Sequence, residues 1–145
     1  MNHEKVICIR YLTSVVLQAM LSRKSSAFVA IKKADNAGII IVSDATLLEL
    51  EEKMYLPKFD KYQSLANRLV FFKAYSLLAL NIEPTIKIAA CRDPKDDKFL
   101  ELAKTASADC IITRDKDLLV LNPFDGIPIL TTPDFLTHYF SFQAI

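Results

Sequence analysis

Glycine is nearly missing from this 145-residue chain: there are two, Gly38 and Gly126. Neither sits in a strand-to-helix turn with the spacing of a phosphate cradle. The common nucleotide-binding loops need several glycines for close backbone approach, so dinucleotide and ATP enzymes of those kinds are excluded. Histidine is as scarce, with His3 in a tail and His138 in the last helical stretch. No serine lies in a glycine-flanked nucleophile elbow, which removes Ser-His and Cys-His catalysts.

The three cysteines, Cys8, Cys91 and Cys110, are odd in number and unpaired in spacing, and all lie in or at the end of β-like runs. They read as small buried apolar side chains rather than as a disulfide or zinc framework. No apolar run approaches the roughly 18 to 20 residues of a membrane span. The opening MNHEKVICIRYL has no small-residue cleavage pattern, so cytoplasmic residence is expected. A net charge of +1 gives no broad attraction to nucleic acid, although Arg23 with Lys24, Lys32 with Lys33, and Arg114 with Lys116 form local basic pairs.

What the chain does contain is an alternation. Apolar runs rich in β-branched residues fall at Val6–Ile9, Ile39–Val42, Ile86–Ala89, Cys110–Thr113 and Ile127–Leu130. Between them apolar residues keep helical spacing: Thr13–Leu21, Ser26–Ala37 stopped by Gly38, a helix capped by Ser43 or Asp44 and reaching Met54, and a long one from Ser64 to Leu80. Asp93 with Pro94 opens another, lasting to Ala106, and Thr132 with Pro133 opens the last. The pattern predicts a single α/β domain over residues 1–145, a three-layer α/β/α sandwich with a mainly parallel sheet, its long helix forming a hairpin with a neighbour. Phe135, Tyr139, Phe140 and Phe142 on the last helix suit either self-association or the core.

In an open parallel sheet, ligands bind beyond the carboxyl ends of the strands. Here IKIAA leads to Asp93, Asp96 and Asp97, and CIIT leads to Arg114, Asp115 and Asp117. Carboxylates crowded in one crevice repel each other, and a divalent cation relieves the repulsion. With no His or Cys partner, hard oxygens favour magnesium or manganese, ions that clamp phosphate and activate water. The same acids also suit helix starts: Asp93 as N-cap, Asp96 at the positive helix end, and Asp115 or Asp117 capping DKDLLVL.

The texts SDATLLELEEKM with LPKFDKY, CRDPKDDKFLELA, and ADCIITRDKDLLVLNPFDGIPILTTPDFL, in this strand-helix order, resemble the PIN-domain family, and within it the bacterial toxin-like branch. The resemblance spans nearly the whole chain. It implies a ribonuclease dependent on magnesium or manganese, with water as nucleophile and RNA as substrate, a small antitoxin as partner, self-association, and no membrane. Matched by motif, the family's second acid falls on Glu49, its third on Asp97 and its fourth on Asp115, with Asp117 as an auxiliary metal ligand. Periodicity alone does not separate Glu49 from Glu51 or Glu52, nor Asp97 from Asp96. Arg114, Lys116 and Lys98 are the candidate phosphate contacts.

The first motif departs from the family. Where an acid followed by Thr-Asn is usual, this chain reads Leu12, Thr13, Ser14, Val15. Thr13 matches, Ser14 is an auxiliary polar group, and Leu12 cannot hold a metal, which implies weaker cation binding and impaired catalysis. Asp44, after the second strand, is a candidate substitute. A catalytically inactive module that binds RNA or a partner is the competing expectation. A receiver-like signalling domain is excluded, because Leu12 and Val42-Ser43 do not supply its acids.

Overall fold

The computed structural model describes residues 8–11 and 13–140, with side-chain surroundings over 15–137. Five strands, β1 (Cys8–Tyr11), β2 (Ile39–Val42), β3 (Leu80–Asn81), β4 (Cys110–Ile112) and β5 (Ile129–Leu130), form one sheet in the order β3-β2-β1-β4-β5, with every pair parallel. The helices are α1 (Thr13–Leu21), α2 (Ser26–Ala37), α3 (Asp44–Met54), α4 (Leu65–Leu78), α5 (Asp97–Thr105), α6 (Lys116–Leu119) and α7 (Thr132–Phe140). No helix among the described residues is long and apolar enough to cross a membrane.

Period-two burial divides the core into two layers. Ile40 and Val42 of β2, with Cys110 and Ile112 of β4, pack against α1, α2, α3 and Phe135 of α7. Ile41 and Ile111 point the other way, into Phe99, Leu100, Leu102 and Ala103 of α5 and Leu118 of α6. Each such fully buried aliphatic side chain contributes about 1.5–3 kcal/mol. The result is the expected α/β/α sandwich with a parallel sheet. Phe135 is wholly buried, so it belongs to the core and not to a self-association surface.

Local chemistry sets most helix starts as the sequence suggests. Ser43 caps α3, accepting from Thr46 N at 3.2 Å while Thr46 Oγ1 accepts from Ser43 N at 2.9 Å, a reciprocal box. Ser64 caps α4 through Asn67 N, and Asp93 accepts from Lys95 N at 3.0 Å, opening a short 3-10 turn, Pro94–Asp96, that feeds α5. Gly38 ends α2 with its N–H on Ala34 O. The long helix packs against α3 as a hairpin neighbour, tied by the buried Arg68, which donates to Leu56 O and to Asp60 Oδ1 at 3.1 and 2.6 Å.

Two expected elements differ. The long helix stops at Leu78 instead of Leu80, because Leu80 and Asn81 pair with Ile41 and Val42 and complete the sheet edge as β3. Residues 86–89 form no strand. Burial alternates from Ile82 to Ala89 as in a strand, yet β3 already occupies the edge beside β2, so this segment runs along α5 instead. Its amides bond to side chains of that helix: Thr85 N to Thr105 Oγ1 at 3.2 Å, Ile88 N to Glu101 Oε2 at 2.9 Å, and Ala90 N and Cys91 N to Asp97 Oδ1 at 3.1 and 2.8 Å. The acceptors stand at i, i+4 and i+8, one face of α5. Cys91 is therefore half-buried at the end of this unpaired segment, whereas Cys110 is buried in β4.

Candidate active site

The chain order runs outward from β1 in both directions, β2 then β3 on one side and β4 then β5 on the other. That reversal opens a crevice at the carboxyl edge of the sheet. Three stretches deliver acids toward it: α3 carries Glu49, the 3-10 turn and the start of α5 carry Asp96 and Asp97, and the start of α6 carries Asp115 at its N-cap and Asp117 in its first turn.

Asp97 is 9 % exposed and accepts two backbone N–H groups on Oδ1 as well as the thiol of Cys91. These donors, led by the Cys91 amide, outweigh the desolvation of its charge and hold its carboxyl below the usual aspartate range. Its neighbour behaves in the opposite way. Burial first, then the charges of Asp115, Asp93 and Glu49, raise the Asp96 carboxyl, and Lys98 partly offsets them. Burial, the hydrogen bond to Asp97 and the charges of Asp97, Asp96 and Asp115 push the Cys91 thiol up to about 12, so it is a neutral donor at physiological pH.

Asp115 is the N-cap of α6, with Oδ1 accepting from Asp117 N at 2.9 Å and its own N–H bonded to Thr113 Oγ1 at 2.9 Å. Asp117 meets Arg92 at 3.6 Å, with both side chains well exposed, a contact of little energetic weight. Glu49 is mostly buried and pairs with Lys98, Nζ to Oε1 at 2.7 Å. The ammonium of Lys98, one of the three candidate phosphate contacts, lies on this carboxylate. Arg114 and Lys116, the other two expected contacts, have exposed side chains on either side of Asp115. Asp44 accepts from Asn81 Nδ2 at 2.8 Å and lines, with Lys98 and Glu101, an open cleft of about 290 Å³ beside the acids.

Glu49, Asp97 and Asp115 thus share one electrostatic neighbourhood, since Asp96 senses both Glu49 and Asp115 while Cys91 senses Asp97 and Asp115. As a donor set they suit a hard divalent cation in kind, and the charges of Asp115, Asp93 and Glu49 add to the burial that raises Asp96. Among the described residues, no three His, Cys, Asp or Glu side chains stand close enough to share one ion. Leu12 lies outside the described residues, as do the side chains of Thr13 and Ser14, whose backbone opens α1.

The sequence places Asp96 among the crevice acids and equally at the positive end of a helix, reads Cys91 only as an apolar filler and does not single out Glu101. The polar stripe Asp97, Glu101, Thr105 beside an apolar helix face was the readable signal for the last. The linear order marks Asp96 as a crevice acid but not its surroundings, which include Glu49 of α3 and Asp115 after β4.

The sequence profile described as PIN domain matches residues 13–117. Over 80 residues the chain is 38% identical to the uncharacterized protein MJ1680 of Methanocaldococcus jannaschii, a match covering 54% of this chain and 51% of that protein. The chain thus spans about half the length of the curated relative it matches. Two solved structures share the fold at 12% identity: VapBC2 from Rickettsia felis, bound to a DNA fragment from their promoter, with TM-score 0.62 over 86% of this chain and 98% of that one, and PAE2754 from Pyrobaculum aerophilum, with TM-score 0.63 over 91% and 88%.

Proposed function

The chain belongs to the PIN-domain family, and from that premise we propose that it is a toxin-like domain of the metal-dependent ribonuclease type whose catalysis is impaired by Leu12. What supports this reading is the set of acids that α3, the start of α5 and the start of α6 bring to one sheet edge, where burial first and then the charges of Asp115, Asp93 and Glu49 raise the Asp96 carboxyl. Glu49, Asp97 and Asp115, with Asp117 as auxiliary, would hold magnesium or manganese. Such an ion supplies Lewis-acid polarisation of a phosphodiester and a more acidic water. The protein's own part is to bind and orient RNA: Arg114 and Lys116 offer exposed cations beside Asp115, placed to meet backbone phosphates. A small antitoxin partner and self-association accompany the toxin-like reading.

A second reading has its own support. Leu12 removes one carboxylate from the group, and Asp97 is engaged in holding the 90–91 backbone. A PIN domain retained for binding RNA or a protein partner, without turnover, fits both features.

A ribonuclease assay with manganese or magnesium separates the two. Cleavage by the unmodified chain that vanishes in Asp97→Asn, with the fold of that variant verified by circular dichroism, sinks the inactive-module reading. If cleavage appears only in Leu12→Asp, the unmodified chain is inactive and the nuclease reading is lost. The expected outcome is slow cleavage that Leu12→Asp accelerates.

A further inference from the structure

A buried cation holds the connection between α3 and α4, which reads KMYLPKFDKYQ over 53–63. Arg68 of α4, 1% exposed, donates to Leu56 O and to Asp60 Oδ1 at 3.1 and 2.6 Å and so takes up the one acid of that stretch. Phe59 is buried in a 3-10 turn, Pro57–Phe59, and the N–H groups of Phe59, Asp60, Tyr62 and Gln63 all bond to carbonyls within the connection. The backbone is thus fully engaged, yet the two tyrosines are not packed: Tyr55 and Tyr62 are 54% and 58% exposed. Lys53, Lys58 and Lys61 are exposed as well, and none pairs with a carboxylate among the described residues. The ammonium of Lys61 lies 5.1 Å from the centroid of the Tyr62 ring, and that of Lys58 lies 5.3 Å from the Phe59 ring. α3 starts at the carboxyl edge of β2 and its 11 residues advance about 16 Å, so this surface sits at the end of α3 away from that edge.

We infer that the α3–α4 connection is a stacking surface for single-stranded RNA, with bases laid on Tyr55 and Tyr62 and backbone phosphates met by Lys58 and Lys61. The inference rests on RNA as the ligand of the proposed reading and adds to it a contact surface separate from the acidic edge. A tyrosine ring left in water forgoes the gain of burying a large apolar face, and a stacked base recovers it without any sequence readout. The lysines decide between occupants. Interfaces between proteins enrich tyrosine but deplete lysine, whereas aromatic faces set among unpaired cations are what a single strand with one phosphate per nucleotide requires. Because Arg68 fixes the loop in advance, little ordering cost remains to be met on binding. Glu51 and Glu52, which lie just ahead of the stretch on α3, keep the attraction local and sensitive to salt.

Fluorescence anisotropy of a labelled, unstructured RNA oligonucleotide with the full chain, in EDTA so that no cleavage occurs, tests this. Tyr55→Ala and Tyr62→Ala are each expected to weaken binding about tenfold, the weight of one stacked base, while Tyr62→Phe binds as the unmodified protein does. Lys58→Gln combined with Lys61→Gln should lower the slope of log affinity against log salt by about 1.4, two phosphates on a single strand. The same sequence presented as a duplex should be indifferent to Tyr62→Ala, because its bases have no free faces. Folding of each variant is checked by its thermal transition. Parental affinity in both alanine variants overturns the inference, as does an equal loss on the duplex or no RNA binding by the unmodified chain. Self-association in sedimentation that Tyr62→Ala abolishes, with RNA binding intact, assigns the surface to protein contact and also overturns it. Loss of binding in the alanine variants of a chain that never cleaves RNA leaves the stacking surface as inferred and removes the nuclease reading. Cleavage by a chain whose alanine variants bind RNA as the parent does has the reverse meaning.

Discussion

Residues 82–91 and strand β4 begin as near equivalents. Each is rich in β-branched residues, and each leads within a few residues to an acid of the candidate site. β4 lies between β1 and β5, and its backbone is held by the ladder. Past Ile82, whose N–H still bonds to Val42 O at 2.8 Å, the 82–91 segment joins no strand, and its amides at Thr85, Ile88, Ala90 and Cys91 rest on Asp97, Glu101 and Thr105 of α5. A buried or half-buried amide needs an acceptor, and a helix face can supply acceptors as a strand does. The consequence falls on the acids. Asp115 serves only its own turn as an N-cap, whereas Asp97 is both a site acid and the anchor of a segment six to seven residues upstream.

Removing that anchor is the largest way to break the contrast. Asp97→Ala should cost about 1–3 kcal/mol in urea unfolding, the penalty of orphaning partly buried N–H groups. It should also speed hydrogen exchange at Ala90 and Cys91 and raise alkylation of the Cys91 thiol, which the parent keeps near a pKa of 12. An unchanged exchange rate at those two amides would refute the anchoring role. Asp115→Ala should cost about 1 kcal/mol, as other lost N-caps do, with faster exchange confined to Asp117 and its neighbours.

The smallest effect sharpens the comparison within a single dipeptide. Asp97 has a lowered folded pKa, so its contribution is present above the ordinary aspartate value of 3.8 and is lost as pH falls through the folded value. Asp96 has a raised one, so the folded chain prefers it protonated, and stability declines as pH rises from 3.8 through its folded value. Asp96→Asn should therefore raise Tm slightly at pH 7, with the gain disappearing below 3.8, while Asp97→Asn lowers Tm at pH 7. Thermal scans at pH 7 and pH 3 check both, and a fall in Tm for Asp96→Asn at pH 7 contradicts the charge crowding described for it.

Much of the fold was legible. The alternation of β-branched runs with helical spacing led to the sandwich, and Ser43, Ser64 and Asp93 cap where their side-chain chemistry places them. The illegible parts share a cause. The pair Leu80–Asn81 is too short to show a period and became a strand because β2 had an open edge, and Ile86–Ala89 kept its alternation but lost the competition for that edge. At the site, the acids Glu49, Asp97 and Asp115 came from the resemblance in motif. Their surroundings did not, because Asp96, Cys91 and Lys98 acquire their character from groups on other elements.

By itself the sequence determined the residue types at the crevice and the local caps, along with the absence of an acid at position 12, because these depend on neighbours a few residues apart. Only the tertiary structure decided how the charges are spent. It set Asp97 to hold backbone, Asp96 to bear repulsion from three other acids and Lys98 to reach Glu49 across two helices. Electrostatic energy depends on distance in space and on burial, and both are fixed when α3, α5 and the turn after β4 pack around one sheet edge.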